Sequence, residues 1–191
     1  MIIVLSLFML LIAIVIKADS KGPVMFRQIR VTQYGKRFRI FKFRTMTANA
    51  ETIGTQITTQ NDARITKTGR FLRKYRLDEV PQLFNIITGD MSFVGTRPEV
   101  EKYVDYYTTE MMATLLLPAG ITSEASIRYK DEEKLLENAE DADNTYFEKI
   151  LPEKMEFNLE AIKQFCFITD IKTMFRTVHR VAKKDEVQSN R

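Results

Sequence analysis

The stretch RITKTGRFLRKYRLDEVPQLFNIITGDMSFVGTRP, residues 64–98, decides how this chain is read. It sets Arg64, Lys67, Arg70, Arg73, Lys74 and Arg76 directly ahead of an adjacent acidic pair, Asp78 and Glu79. Pro81 follows within a turn, the apolar run Leu83 to Ile87 ends at Gly89, and Gly95-Thr96-Arg97-Pro98 closes the segment. Two carboxylates among so many cations point to a site for a negatively charged, phosphate-bearing substrate. One carboxylate would stay ionised as nucleophile or metal ligand. An Asp-Glu pair at a helix start also serves simply as a cap that complements the helix dipole, and spacing alone does not separate the two readings.

Outward from that stretch, the charge is uneven. The chain has 191 residues, 45% hydrophobic and 28% charged, with a formal net charge of +4. That is room for one domain with a sizeable core, of ordinary globular composition. From Lys17 to Arg44 the cations are Lys17, Lys21, Arg27, Arg30, Lys36, Arg37, Arg39, Lys42 and Arg44, against Asp19 alone. The acidic balance sits in Glu124 to Asp143. Such asymmetry favours an anionic partner for the first half, or else a solvated basic face. No recognised reading helix accompanies it, so no nucleic-acid partner is expected. Cys166 is the only cysteine and His179 the only histidine. No internal disulfide can form, and clustered histidine–cysteine zinc sites are excluded.

Residues 1–16 carry no charge. As a helix they would reach about 24 Å, short of the roughly 30 Å of a bilayer core. With dense cations following, they are expected to form a hydrophobic, membrane-associated segment: a short anchor, a helix entering one leaflet, or a truncated re-entrant helix, with a buried core helix as the alternative. Residues 17–191 are expected to form a cytoplasmic catalytic domain at the inner membrane.

The expected fold is α+β and mainly helical: an N-terminal hydrophobic membrane helix, a small β-hairpin, and several short and amphipathic helices around the Asp-Glu site. The hairpin pairs Val24–Val31 with Arg37–Arg44 around Gln33-Tyr34-Gly35. Thr47–Asn61 reads as a polar loop. Helices are expected over Thr68–Tyr75, Glu79–Thr88 with Asp78 as N-cap, Glu99–Leu117, Lys130–Asn138, Pro152–Phe165 and Thr169–Lys184. In the last, Lys172, Arg176, Arg180 and Lys184 make a basic stripe, and Ile171, Met174, Phe175, Val178 and Val181 an apolar one. That pattern suits a helix on an anionic membrane surface or one packed on the core.

At the dyad, a helix start and the neighbouring Arg73 and Arg76 would stabilise an ionised, low-pKa Asp78. Lys42, Arg44, Arg64, Arg73 and Arg97 could surround phosphate oxygens, together with Mg²⁺ held by Asp78 and Glu79.

The order of segments resembles the bacterial sugar transferase family, the monotopic phosphoglycosyl transferases. The matching pieces are Gly22 to Gln28 with Arg30, Lys42 to Met46, Asp62 to Thr66, Gly69 to Arg73, Leu77 to Asn85, Gly89 to Gly95, Arg97-Pro98, and Gly120-Ile121-Thr122. The resemblance covers about residues 1 to 184. The resemblance implies transfer of a sugar-1-phosphate from a nucleoside-diphosphate sugar, usually a UDP-sugar, to polyprenol phosphate. Such transfer initiates exopolysaccharide, capsule, O-antigen or glycoprotein glycan assembly. It implies that Asp78 is a covalent nucleophile, that Glu79 positions Mg²⁺ or the incoming phosphate, that Arg97 and Pro98 serve the nucleotide, and that Lys42, Arg44 and Arg73 serve phosphate. Membrane lipids are implied partners, and the oligomeric state stays open. Thr96 stands where the family has the first proline of Pro-Arg-Pro. Ser123-Glu124-Ala125-Ser126 replaces the usual run after Gly120-Ile121-Thr122, which leaves the role of Arg128 open. Ser6 is followed by Leu7 where the family has a Ser-Pro kink. An inactive membrane-bound scaffold of the same fold is the alternative.

Overall fold

The computed structural model describes residues 2–50, 58–59, 62–137, 139 and 141–182. The chain opens with helix α1 (Ile2–Asp19), followed by the antiparallel hairpin β1 (Met25–Val31) and β2 (Arg37–Phe43). The alternation of Phe38, Ile40 and Phe43 with Arg37, Arg39 and Lys42 is what makes β2 a strand with one buried face. Met25 pairs with Phe43 and Val31 with Arg37, and a 3₁₀ turn at Gln33–Gly35 joins the strands. Most of the expected loop at Thr47–Asn61 lies outside the described residues.

Helix α2 (Lys67–Lys74) starts at Thr66, whose side chain accepts the Gly69 N–H. The helix expected from Glu79 to Thr88 is two pieces. Leu77–Gln82 is a 3₁₀ helix and α3 is Leu83–Ile87. Its entry residue is Arg76, not Asp78, and Arg76 sits in the left-handed region with φ 55°. Asn85, fully buried, fastens α3 to β2. Its Oδ1 accepts the Phe41 N–H at 2.9 Å and its Nδ2 donates to the Arg39 carbonyl at 3.0 Å.

A second, parallel strand pair joins β3 (Met91–Val94) to β4 (Ala119–Thr122), in register Met91 to Ala119 and Val94 to Thr122. Between them, the single helix expected over Glu99–Leu117 is a short α4 (Glu101–Val104) and a 3₁₀ helix at Met111–Leu116. The expected Lys130–Asn138 helix contracts to α6 (Glu132–Leu135), after α5 (Glu124–Arg128). Then come α7 (Ala142–Thr145), a π-helical turn at Tyr146–Ile150, α8 (Leu151–Lys163) and α9 (Phe167–Ala182). On α9, Thr173 is buried and Ile171, Phe175 and Val178 stay exposed, so the expected apolar stripe is not the face that packs. Lys184 lies outside the described residues.

The expected N-terminal membrane helix is corrected by the structure. No helix among the described residues is long and apolar enough to cross a membrane. Instead α1 runs past residue 16 to Lys17 and Asp19, and its end is built into the domain. Ile12 and Ile16 are buried against Phe43 and Leu72, with Met9, Val24 and Leu77 packed around them. The Asp19 carboxylate accepts the Thr68 N–H at the start of α2. Two further clusters complete the core: Phe38, Ile40 and Met91 beneath the hairpin, and Val100, Tyr103, Leu136, Tyr146, Ile150, Leu151 and Met155 around α8.

Strand β4 and the exit of β3 are drawn close at glycines. A Cβ on Gly120 would lie 2.1 Å from the Gly95 backbone nitrogen. No side chain fits there, and Gly95 leads directly into Arg97. Gly120→Ala is therefore expected to lower stability by about 1–3 kcal/mol, read as a drop in the denaturant midpoint at unchanged slope.

Candidate active site

Asp78 and Glu79 lie side by side on the 3₁₀ turn, buried to 8% and 6% exposure. Three chain segments converge on Glu79. Arg97, from the turn after β3, places Nη2 at 2.5 Å from Oε1; Lys42 of β2 places Nζ at 3.2 Å; Arg76 at the turn entry places Nη1 at 3.6 Å. Burial on its own pushes the Glu79 pKa up, but Arg97, Lys42 and Arg76 outweigh it and hold the carboxyl well below its ordinary value. The same burial acts on Lys42, whose pKa drops to about 8 despite Glu79.

Asp78 differs. Its Oδ1 is buried with no hydrogen-bond partner. Burial first, and the Glu79 charge second, raise its pKa, against the smaller opposing pull of Lys42, Arg73 and Arg76. The low-pKa Asp expected from a helix start and nearby arginines is thus corrected: Glu79 pairs with the cations, and burial pushes the Asp78 carboxyl up with its Oδ1 unpaired. Arg76 reaches Glu79 from a left-handed backbone that a non-glycine residue seldom adopts, a strain typical of functional sites.

A cleft of about 1120 Å³ runs over the dyad. Its walls include Asp78, Glu79, Lys42, Arg73 and Arg97, together with Arg44 and Arg64. The last two are already engaged. Arg44 donates to the carbonyls of Ser20 and Lys21 at 2.8 Å each, closing the C-terminal end of α1. Arg64 is clamped by the Asp62 carboxylate at 2.7 Å. Arg73 pairs with Glu133 at the start of α6. Pro98 is buried and off the cleft wall, and its carbonyl accepts from Arg30 at 3.2 Å.

That contact opens onto a network the sequence reading did not single out. Glu99, buried, accepts from the Tyr146 hydroxyl at 2.6 Å and faces Arg30 and Lys154, both at 3.8 Å. Burial raises the Glu99 pKa but Lys154 and Arg30 pull it below its ordinary value. The network braces the Arg97–Pro98 segment from behind. Arg30 lies in a quoted motif; Tyr146 and Lys154 are distant in sequence, and nothing local marks them. Among the described residues, no group of three or more His, Cys, Asp or Glu side chains gathers to hold a metal.

A buried carboxylate pair thus lies under a cation-lined cleft, the arrangement expected of the family the sequence resembles. Comparison with known proteins agrees. The family model described as bacterial sugar transferase matches residues 1–184, and the chain belongs to that family. It is 37% identical over 179 residues to a UDP-N-acetylgalactosamine-undecaprenyl-phosphate N-acetylgalactosaminephosphotransferase of Aeromonas hydrophila, over 92% of this chain and 39% of that one. To a UDP-glucose:undecaprenyl-phosphate glucose-1-phosphate transferase of Klebsiella pneumoniae it is 36% identical, over 93% of this chain and 37% of the relative. To the uncharacterized sugar transferase EpsL of Bacillus subtilis it is 32% identical, over 96% and 82%. The chain spans about two fifths of the length of the first two relatives.

The raised Asp78 pKa has a stability consequence. The folded state holds the proton more tightly than the unfolded chain, so stability falls as pH rises above the unfolded value of about 3.9. Asp78→Asn removes that cost. At pH 7 it is expected to raise the thermal midpoint by roughly 2–4 °C, the shift of about 1 kcal/mol in a chain this size. The gain should vanish below pH 4 in paired melting scans.

Proposed function

We propose that this chain is a phosphoglycosyl transferase, moving a sugar-1-phosphate from a UDP-sugar to polyprenol phosphate and so starting assembly of a bacterial glycan. The observation that carries the reading is the unpartnered Oδ1 of buried Asp78 beside a Glu79 fully engaged by Arg97, Lys42 and Arg76. The names of the relatives, with UDP-sugars and undecaprenyl phosphate as their substrates, support it.

In this reading an oxygen of the Asp78 carboxylate attacks the β-phosphorus. The bond from that phosphorus to the bridging oxygen breaks, and UMP leaves with its electron pair. The phospho-sugar then stands on Asp78 as an acyl phosphate. An oxygen of the acceptor phosphate attacks the same phosphorus, the Asp78 carboxylate departs, and a polyprenol-diphosphate sugar is the product. A carboxylate stripped of water and of hydrogen bonds is a stronger nucleophile than a solvated one. Lys42, Arg73 and Arg97 supply positive charge along the cleft where non-bridging oxygens would lie. Glu79 acts by holding Arg97, Lys42 and Arg76 in place.

Mg²⁺ fits as a companion of the diphosphate, because it needs only one or two protein carboxylates beside phosphate oxygens. The orphaned Oδ1 of Asp78 is the available protein oxygen; Glu79 is engaged by its three cations. When bound, the ion would neutralise diphosphate charge. A lipid acceptor and a soluble donor meet at a membrane surface, so we place the work at the cytoplasmic face of the inner membrane.

The test is UMP release from a panel including UDP-glucose and UDP-N-acetylgalactosamine, with no acceptor present. About one UMP per chain is expected, lost more than ~10³-fold in Asp78→Asn and suppressed by excess chelator. A folded protein that releases no UMP from any UDP-sugar would favour the scaffold alternative.

A further inference from the structure

Behind the dyad lies a second, half-open cavity of about 270 Å³. Its walls are almost wholly apolar: Val80, Leu83, Phe93, Ile121, Ile127 and Val181. A nucleotide or a sugar would leave its polar groups unpaired against such walls, at a cost of about 1–3 kcal/mol each. A hydrocarbon would not. Yet the rim is cationic. Arg76, Lys130 and Arg180 line the cavity there, beside Glu79. The rim is knitted together by backbone contacts. Lys130 Nζ donates to the Arg180 carbonyl at 3.3 Å, and Arg76 Nη2 donates to the Lys130 carbonyl at 3.4 Å. The Arg180 guanidinium has no hydrogen-bond or ion-pair partner among the described residues.

The two cavities share Arg76, Glu79, Ser126, Lys130 and Val181, so they meet at the dyad. The larger is polar and holds Asp78 on its wall; the smaller is apolar and does not. A hydrocarbon with a phosphate at one end matches the smaller: apolar walls for the chain, a cationic rim for the headgroup. Its wall toward α9 is fixed by a 2.7 Å hydrogen bond between the hydroxyls of Thr122 on β4 and Thr177 on α9. That bond explains why α9 turns its threonines inward rather than its phenylalanines.

We propose that this cavity seats the first isoprenoid units of the lipid-phosphate acceptor, with Arg76, Lys130 and Arg180 receiving its phosphate at the junction with Asp78. The assignment rests on the transferase reading above and gives its acceptor half a place. In the second displacement the acceptor oxygen must enter opposite the Asp78–phosphorus bond, where UMP left, so its phosphate has to reach the junction of the two cavities at the dyad. The cavity is too small for a long lipid, so only the units nearest the phosphate count toward recognition.

The chain contains no tryptophan. Phe93→Trp, at the half-exposed wall position, therefore installs a single fluorescent reporter in the cavity. It is titrated below micellar concentrations with inorganic phosphate, dimethylallyl phosphate, geranyl phosphate, farnesyl phosphate and UDP-glucose. A saturable blue shift is expected for the isoprenoid phosphates. Affinity should rise at least tenfold from dimethylallyl to geranyl, since each buried methylene contributes about 0.8 kcal/mol, and then level off at farnesyl. Val181→Glu in the reporter background should abolish the chain-length gain. The same shift with inorganic phosphate alone, or with UDP-glucose, would overturn the assignment, as would affinity independent of chain length. Binding needs no turnover. Chain-length-dependent binding without UMP release would defeat the transferase reading alone; UMP release without chain-length dependence would defeat the cavity assignment alone.

Discussion

Buried Glu79 is the carboxylate on which Lys42, Arg76 and Arg97 converge, and the rest of the site depends on it. Its carboxylate ties β2 through Lys42, the turn entry through Arg76 and the segment after β3 through Arg97. Burying such charges costs several kcal/mol per ion, and close pairing offsets that cost. Removing one partner would leave a buried charge unmatched. The knot therefore works as a geometric constraint: three segments far apart in sequence must meet at one carboxylate, or none of them is satisfied. Behind it, the Glu99, Arg30, Lys154 and Tyr146 network braces the same Arg97 segment from the α8 side.

The consequence for Asp78 follows from occupancy. Its neighbour uses the nearest cations, so Asp78 is left buried with an unpaired oxygen. In most proteins such an atom is a defect. Here the residue that carries it lines the polar cleft, and an apolar cavity meets that cleft at the adjoining residues. The strain of Arg76 and the cost of Asp78 are concentrated where, in the proposed reaction, donor and acceptor would meet.

Much of this was legible in the sequence as residue type and order. The alternation of β2 identified the hairpin, and the six cations ahead of Asp78-Glu79 pointed to the stretch over which the cleft lies. Other features depend on three-dimensional proximity. Arg44 belongs to the same basic run as Lys42, yet its guanidinium caps α1, because spacing does not say which way a guanidinium turns. Proximity to arginines argued for a low Asp78 pKa, but burial dominates, and burial is set by the fold. The parallel pair β3 and β4 is hard to see because each strand has four residues and the partner is distant. The uncharged N-terminal run allowed a buried helix but could not name Phe43 and Leu72 as the partners that claim Ile12 and Ile16 and draw the end of α1 into the domain. Nor can a sequence show that Arg76 adopts a left-handed backbone.

The central claim is that Asp78 carries the phospho-sugar, and mass spectrometry tests it most directly. The protein is mixed with a UDP-sugar that it turns over, quenched in acid before any acceptor is added, and mapped by peptide. The account predicts a mass increase of one phospho-sugar, confined to the peptide that contains Asp78 and absent from Asp78→Asn. An adduct on any other residue, or steady turnover with no adduct on that peptide under single-turnover quench, would contradict it.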